Sequence, residues 1–153
     1  MTDTSRPPIV LWLASRFENI ELSQVILEHV CRHRGMKDAE TAHWMGMALR
    51  EAVANAIKHG NRQDPNKRVF LSFGGEGDEL EVVVADEGEG FDPVRIADPL
   101  APENQMKTSG RGIFYMKTFM DDVSFSKGEN GGTVLTMRKN LKPNAAEKGA
   151  RQE

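Results

Sequence analysis

A chain of 153 residues has the size of one domain, long enough to bury a hydrophobic core without disulfide or metal staples. Its 39% apolar and 28% charged residues leave no stretch suited to crossing a bilayer, and a formal net charge of −3 argues against a broad basic surface for nucleic acid. The single cysteine, Cys31, excludes an internal disulfide framework and a thiolate metal cluster, and the opening MTDTSRPP lacks the basic-then-apolar pattern of a secretion signal, so a reducing cytoplasm is the expected setting.

Residues 1–8 read as a flexible N-terminal segment, residues 9–139 as the domain, and residues 140–153 as a polar, disordered tail. Within the domain, residues 9–17 are apolar enough for a first strand. Residues 18–34 place Ile20, Val25, Ile26, Leu27 and Val30 at helical spacing, with Gly35 as the stop. Asp38 is a cap for a second helix that continues to about His59, with Trp44, Met45, Ala48, Leu49, Ala52, Val53 and Ala56 on one face and Gly60-Asn61 as the terminator.

The pattern then shifts to period two. Residues 68–73 and 79–85 read as adjacent strands joined by a glycine-rich turn. Residues 92–109 contain three prolines and little periodicity, and read as a long mobile loop. A short helix over residues 110–120 and a final strand pair over 121–126 and 133–138 complete the chain. This order predicts an α/β two-layer sandwich: a mixed, mainly antiparallel sheet with helices packed on one face.

Four segments carry candidate chemistry. In the stretch from Glu51 to Gly60, Glu51, Asn55 and His59 are four residues apart and form one polar line on a helix. Glu51 can orient or deprotonate a nucleophile, and the neutral oxygen of Asn55 suits Mg²⁺. Lys58 can approach a phosphate. The alternatives are a solvated Glu51 and Lys58, and a His59 that meets the helix-end carbonyls.

The second segment, DEGEGF at residues 86–91, follows a strand. Asp86 can accept a hydrogen bond from the exocyclic amine of adenine, while Gly88 and Gly90 let backbone approach a flat ligand. An acidic turn between elements reads the same way, and the glycine pattern is not that of a dinucleotide-binding fold. In the third, SGRGI at residues 109–113, a glycine turn opens a helix whose N–H groups can face phosphates, with Arg111 as a directional cation or as an exposed side chain. No GxxxxGK[ST] loop is present. In the fourth, GGT at residues 131–133, the Thr133 hydroxyl can reach adenine or a water shared with Asp86, though a strand threonine needs no ligand.

In this order, ExxxNAxxHG, DEGEGF, SGRGI and GGT resemble the N box, the two glycine boxes and the terminal glycine-threonine box of the GHKL, or Bergerat-fold, ATPase/kinase superfamily. SGRGIFYMKTFMDDV resembles in particular its RsbW-like anti-sigma-factor serine/threonine kinase branch, and the likeness covers residues 9–138. The resemblance implies ATP and Mg²⁺ as cofactors. It implies a metal-binding Asn55, an adenine-recognising Asp86 in a pocket shaped by Gly88 and Gly90, phosphate contacts from Gly110, Arg111 and Gly112, and an adenine-supporting Thr133.

It further implies Glu51 as the catalytic carboxylate and residues 92–109 as an ATP lid. Implied partners are a small STAS-domain anti-sigma-factor antagonist as phosphoacceptor, a sigma factor held by sequestration, and a second copy in a homodimer, with no direct nucleic acid or membrane contact. A nucleotide-dependent binding switch without catalysis and a detached histidine kinase catalytic domain carry the same boxes and stay open as alternatives.

Overall fold

The computed structural model describes residues 8–89 and 112–142 in full and residues 108–111 as helical backbone. The first strand, β1, is Ile9–Ala14. Helix α1, Glu18–His33, carries Glu18 and Glu21 in its first turn and Arg32 and His33 in its last, the order the helix dipole favours. It stops at Gly35, whose φ of 93° lies in the left-handed region. Arg34 then reaches across to donate hydrogen bonds to the carbonyls of Gly74, Gly77 and Glu79.

Helix α2, Ala39–Asn55, is capped by Asp38 as its sequence predicts. Asp38 Oδ1 accepts from the N–H groups of Glu40 and Thr41, and the Thr41 hydroxyl donates to Oδ2 at 2.6 Å. Such a cap contributes about 1 kcal/mol. The expected helix to His59 needs correction. Regular α-helix ends at Asn55, and Ala56–Gly60 form a π-helical turn in which Asn61 N–H reaches back five residues to the Ala56 carbonyl at 2.7 Å. Apolar periodicity continues through both geometries, so it does not register a change of hydrogen-bond ring.

Strands β2 (Arg68–Gly74), β3 (Glu79–Ala85), β4 (Asp122–Lys127) and β5 (Thr133–Asn140) join β1 in one sheet of order β1-β2-β3-β5-β4. Every pairing is antiparallel. Helix α3 is Thr108–Phe119. It starts two residues before its expected first residue, so Thr108 and Ser109, assigned to the long loop, are helical. The rest of that loop, with the N-terminal seven residues and residues 143–153, lies outside the described residues.

The core lies between sheet and helices. Alternate strand positions Val69, Leu71, Phe73, Leu80, Val82, Val84, Leu135 and Met137 point inward against Leu27, Met45, Leu49, Val53, Ile57 and Met116. Each fully buried large side chain contributes about 1.5–3 kcal/mol through burial. Lys139 occupies the next inward position of β5. Its stem is buried and its ammonium meets Asp121 at 3.1 Å, so the charge leaves the core at its margin. Cys31 is buried and free, and burial pushes its thiol up to about 11, which makes it a packing residue.

Candidate functional site

Helix α2, the π-helical turn, the end of β3, the start of β5 and helix α3 bring the four sequence segments to one end of the sandwich. Asp86 directly follows β3 and is tied to β5 by backbone: its N–H donates to the Thr133 carbonyl at 3.1 Å. Its Oδ1 accepts from the N–H of Gly88 at 2.9 Å and of Thr133 at 3.2 Å. Oδ2 has no hydrogen-bond partner among the described residues and lies against Gly60. Burial raises the Asp86 carboxyl above its ordinary value; the two N–H groups and the Lys67 charge pull the other way without cancelling it.

Three glycines make this arrangement possible. A Cβ on Gly60 would overlap the Asp86 carboxylate, one on Gly132 the Asp86 carbonyl, and one on Gly88 the Gly60 carbonyl. The constraint is close approach of backbone and carboxylate, since none of the three has a positive φ. The sequence pointed to Gly88 for its place in the glycine box. Gly60 and Gly132 stood there as members of the first and last boxes, as a helix stop and a turn residue, without a reason for a missing side chain, because that reason comes from Asp86, 26 and 46 positions away.

Glu51 and Asn55 lie one turn apart near the end of α2. Both are half-buried and neither side chain has a hydrogen-bond partner among the described residues. Gly112 of α3 packs against Glu51: a Cβ there would stand 2.9 Å from Glu51 Cβ and 3.1 Å from its Oε2. The glycine box that opens α3 therefore meets the carboxylate of the N box directly. Gly110 and Arg111 are in the first turn of α3. The Arg111 side chain and Gly90 lie outside the described residues.

Lys58 and His59 are exposed on the π-helical turn, and the Lys58 ammonium sits 5.6 Å from the centre of the Phe17 ring. Thr133 enters the site through its backbone N–H and carbonyl, a role its side chain does not advertise in sequence. Asn61, read as part of a helix terminator, is fully buried. Its amide donates to Ser15 Oγ and the Arg68 carbonyl, both at 2.9 Å, and accepts from Glu87 N–H at 2.8 Å.

A carboxylate held by backbone at the end of a strand, packed against the turn that follows a helix bearing a carboxylate and an amide, on a single sheet covered by helices, is the arrangement of a GHKL-type domain. The family model described as the histidine kinase-like ATPase domain matches residues 13–139, and the chain belongs to that family. It is similar to the serine-protein kinase RsbW of Bacillus subtilis (strain 168), 36% identical over 101 residues covering 62% of each chain.

It is also similar to the anti-sigma F factor of Anoxybacillus flavithermus, 37% identical over 93 residues, 60% of this chain and 64% of that protein. These two matches span less than two thirds of the relatives' lengths; RsbW of Listeria innocua matches at 27% over 139 residues, 87% of this chain and 88% of its own. The fold resembles that of the catalytic domain of histidine kinase ThkA, with a TM-score of 0.53 over 89% of this chain and 97% of the other, at 15% identity.

Proposed function

We propose that this chain is an ATP-dependent serine/threonine kinase and anti-sigma factor, which phosphorylates a small STAS-domain antagonist and sequesters a sigma factor in a partner switch. The observation that carries the reading is the convergence of four separated segments: Gly60, Gly88 and Gly132 on Asp86, and Gly112 on Glu51. The similarity to RsbW and anti-sigma F factor proteins supports the same branch.

The residues fit Mg-ATP. The glycine cradle around Asp86 would be filled by any Cβ, and in this reading Asp86 accepts from the adenine amine. Among the described residues no cluster of three or more His, Cys, Asp or Glu forms a metal cage. A cation held by the Asn55 oxygen would therefore draw its remaining ligands from phosphate and water, the usual habit of Mg²⁺. Mg-ATP supplies the transferable phosphoryl group and the charge that offsets it in the transition state.

Glu51 orients the acceptor hydroxyl and takes its proton as the serine or threonine oxygen bonds to the γ-phosphorus and the bond to the ADP oxygen breaks. Gly110, Arg111 and Gly112 supply phosphate contacts at the α3 N-terminus. Gly88 and Gly90 shape the adenine pocket, and Thr133 supports it. Lys58, exposed and with its ammonium 5.6 Å from the Phe17 ring centre without ligand, is a further phosphate contact in this reading.

The protein acts as a cytoplasmic homodimer in this reading, supported by the exposed Ile9, Val10 and Trp12 on the edge strand β1. Among the described residues no helix is long and apolar enough to cross a membrane.

The test is transfer of labelled γ-phosphate from Mg-ATP to STAS-domain proteins encoded beside this chain, with the modified residue mapped. Serine or threonine phosphate that disappears in Asn55→Ala supports the kinase. Nucleotide binding without transfer to any of them replaces it with a binding switch, and histidine phosphate replaces it with a histidine kinase catalytic domain.

A further inference from the structure

We propose that Asn61 is the positioning residue for base recognition: its buried amide sets where the Asp86 carboxylate stands, and so how strongly the site prefers adenine to guanine. The inference rests on the nucleotide reading above and adds a residue to it.

Among the described residues, the hydrogen bonds of Asp86 itself run to Thr133 of β5 and to Gly88. The opposite side of the loop is held through the next residue. Glu87 N–H donates to Asn61 Oδ1 at 2.8 Å, while the same amide donates to Ser15 Oγ beyond the end of β1 and to the Arg68 carbonyl at the start of β2. Ser15 is itself fixed by donating to the Lys67 carbonyl at 2.6 Å. One side chain thus clamps the Asp86 loop to β1 and β2 while Thr133 clamps it to β5.

Asn61 is 0% exposed, so in the intact protein these bonds are made by its amide and not by bulk solvent. Only an amide supplies two donors and an acceptor in this space; a carboxylate would keep the acceptor and lose both donors. The backbone of Asn61 also bounds the turn that carries Gly60. Its N–H closes the π-helical turn on Ala56, and Gly60, immediately before it, is packed against the Asp86 carboxylate. Two consecutive left-handed non-glycine residues follow, Arg62 at φ 52° and Gln63 at φ 59°. Backbone of that kind persists where the surroundings impose it, and here Gln63 N–H donates to the Ile57 carbonyl at 2.8 Å and Asp64 N–H to the Asn61 carbonyl at 3.0 Å.

Adenine presents an amine donor where guanine presents a carbonyl, so selectivity depends on the carboxylate being held at one position rather than merely being present. The experiment measures dissociation constants of Mg-ATP and Mg-GTP for the full chain, Asn61→Ala and Ser15→Ala, with folding followed by circular dichroism and thermal melting. The expected result is a roughly tenfold fall in the ATP-to-GTP preference of Asn61→Ala, carried by weaker ATP binding with GTP binding nearly unchanged, and a smaller fall of about two- to threefold in Ser15→Ala.

A folded Asn61→Ala that melts earlier but keeps the wild-type preference overturns the proposal and leaves Asn61 a stability residue. If Asn61→Ala does not fold, Ser15→Ala decides: an unchanged preference overturns the proposal and a reduced one supports it. Wild-type chain that binds neither nucleotide overturns the nucleotide reading, an outcome distinct from binding with a preference the variants leave intact.

Discussion

The two ends of the candidate site are built on opposite terms. At the Asp86 end, backbone N–H groups occupy one carboxylate oxygen and three glycines exclude side chains, so the geometry exists before any ligand arrives. At the Glu51–Asn55 end, a carboxylate and an amide are half-buried with no side-chain hydrogen bond among the described residues. Leaving such groups under-satisfied costs folding free energy, and a charged, oxygen-rich ligand can return it. In the proposed function, this contrast would separate a preformed base-recognition end from a reacting end whose groups remain available for chemistry.

The sharpest way to break this contrast is at Glu51. Glu51→Ala is expected to lower single-turnover phosphotransfer by about 10²- to 10⁴-fold with ATP affinity almost unchanged, measured with a phosphorylatable partner. A loss confined to ATP affinity would move Glu51 to the binding end. Next in size is Gly132→Ala. The added Cβ would meet the Asp86 backbone, which cannot swing aside as a flexible side chain can, and a stability loss of about 1–3 kcal/mol by urea unfolding is expected, with ATP binding impaired.

Asp86→Asn separates folding from function at the preformed end. Replacing an ionised acceptor by an amide is expected to weaken ATP binding about 10- to 100-fold, read by calorimetry. Without ligand, the sign is opposite. Burial raises the folded-state pKa of Asp86, so between its unfolded and folded values the native state holds the proton more tightly. Its contribution to stability is then present at acid pH and lost as pH rises through the folded value. Asp86→Asn removes this loss, so the ligand-free variant is expected to be more stable than wild type at neutral pH and less pH-dependent through that window. Urea midpoints between pH 4 and 8 check the sign.

The smallest effect is expected at Lys58. Lys58→Ala should cost no more than about 0.5–1 kcal/mol of stability from its contact with Phe17, and change ATP affinity less than about twofold. A larger loss of affinity would give Lys58 more weight at the phosphate end and show that its ammonium leaves Phe17 when nucleotide binds.

Local pattern accounts for much of this molecule. Alternating inward residues located β2 and β3 to within a residue, and Asp38 announced the start of α2, because strand period and helix caps depend on neighbours within a few positions. The four boxes were likewise legible, since each is a short segment whose order along the chain carries the family resemblance.

The relations between those boxes were decided by tertiary structure. The π-helical turn follows α2 without any break in apolar spacing. Gly60 and Gly132 matter because chain folding brings the Asp86 carboxylate and carbonyl to them, and Asn61 matters because its amide meets Ser15, Arg68 and Glu87 at once. Close packing and hydrogen-bond satisfaction are properties of a place in space. Residue identity and spacing therefore determined which groups were available, and only the closing of long loops decided which of them meet.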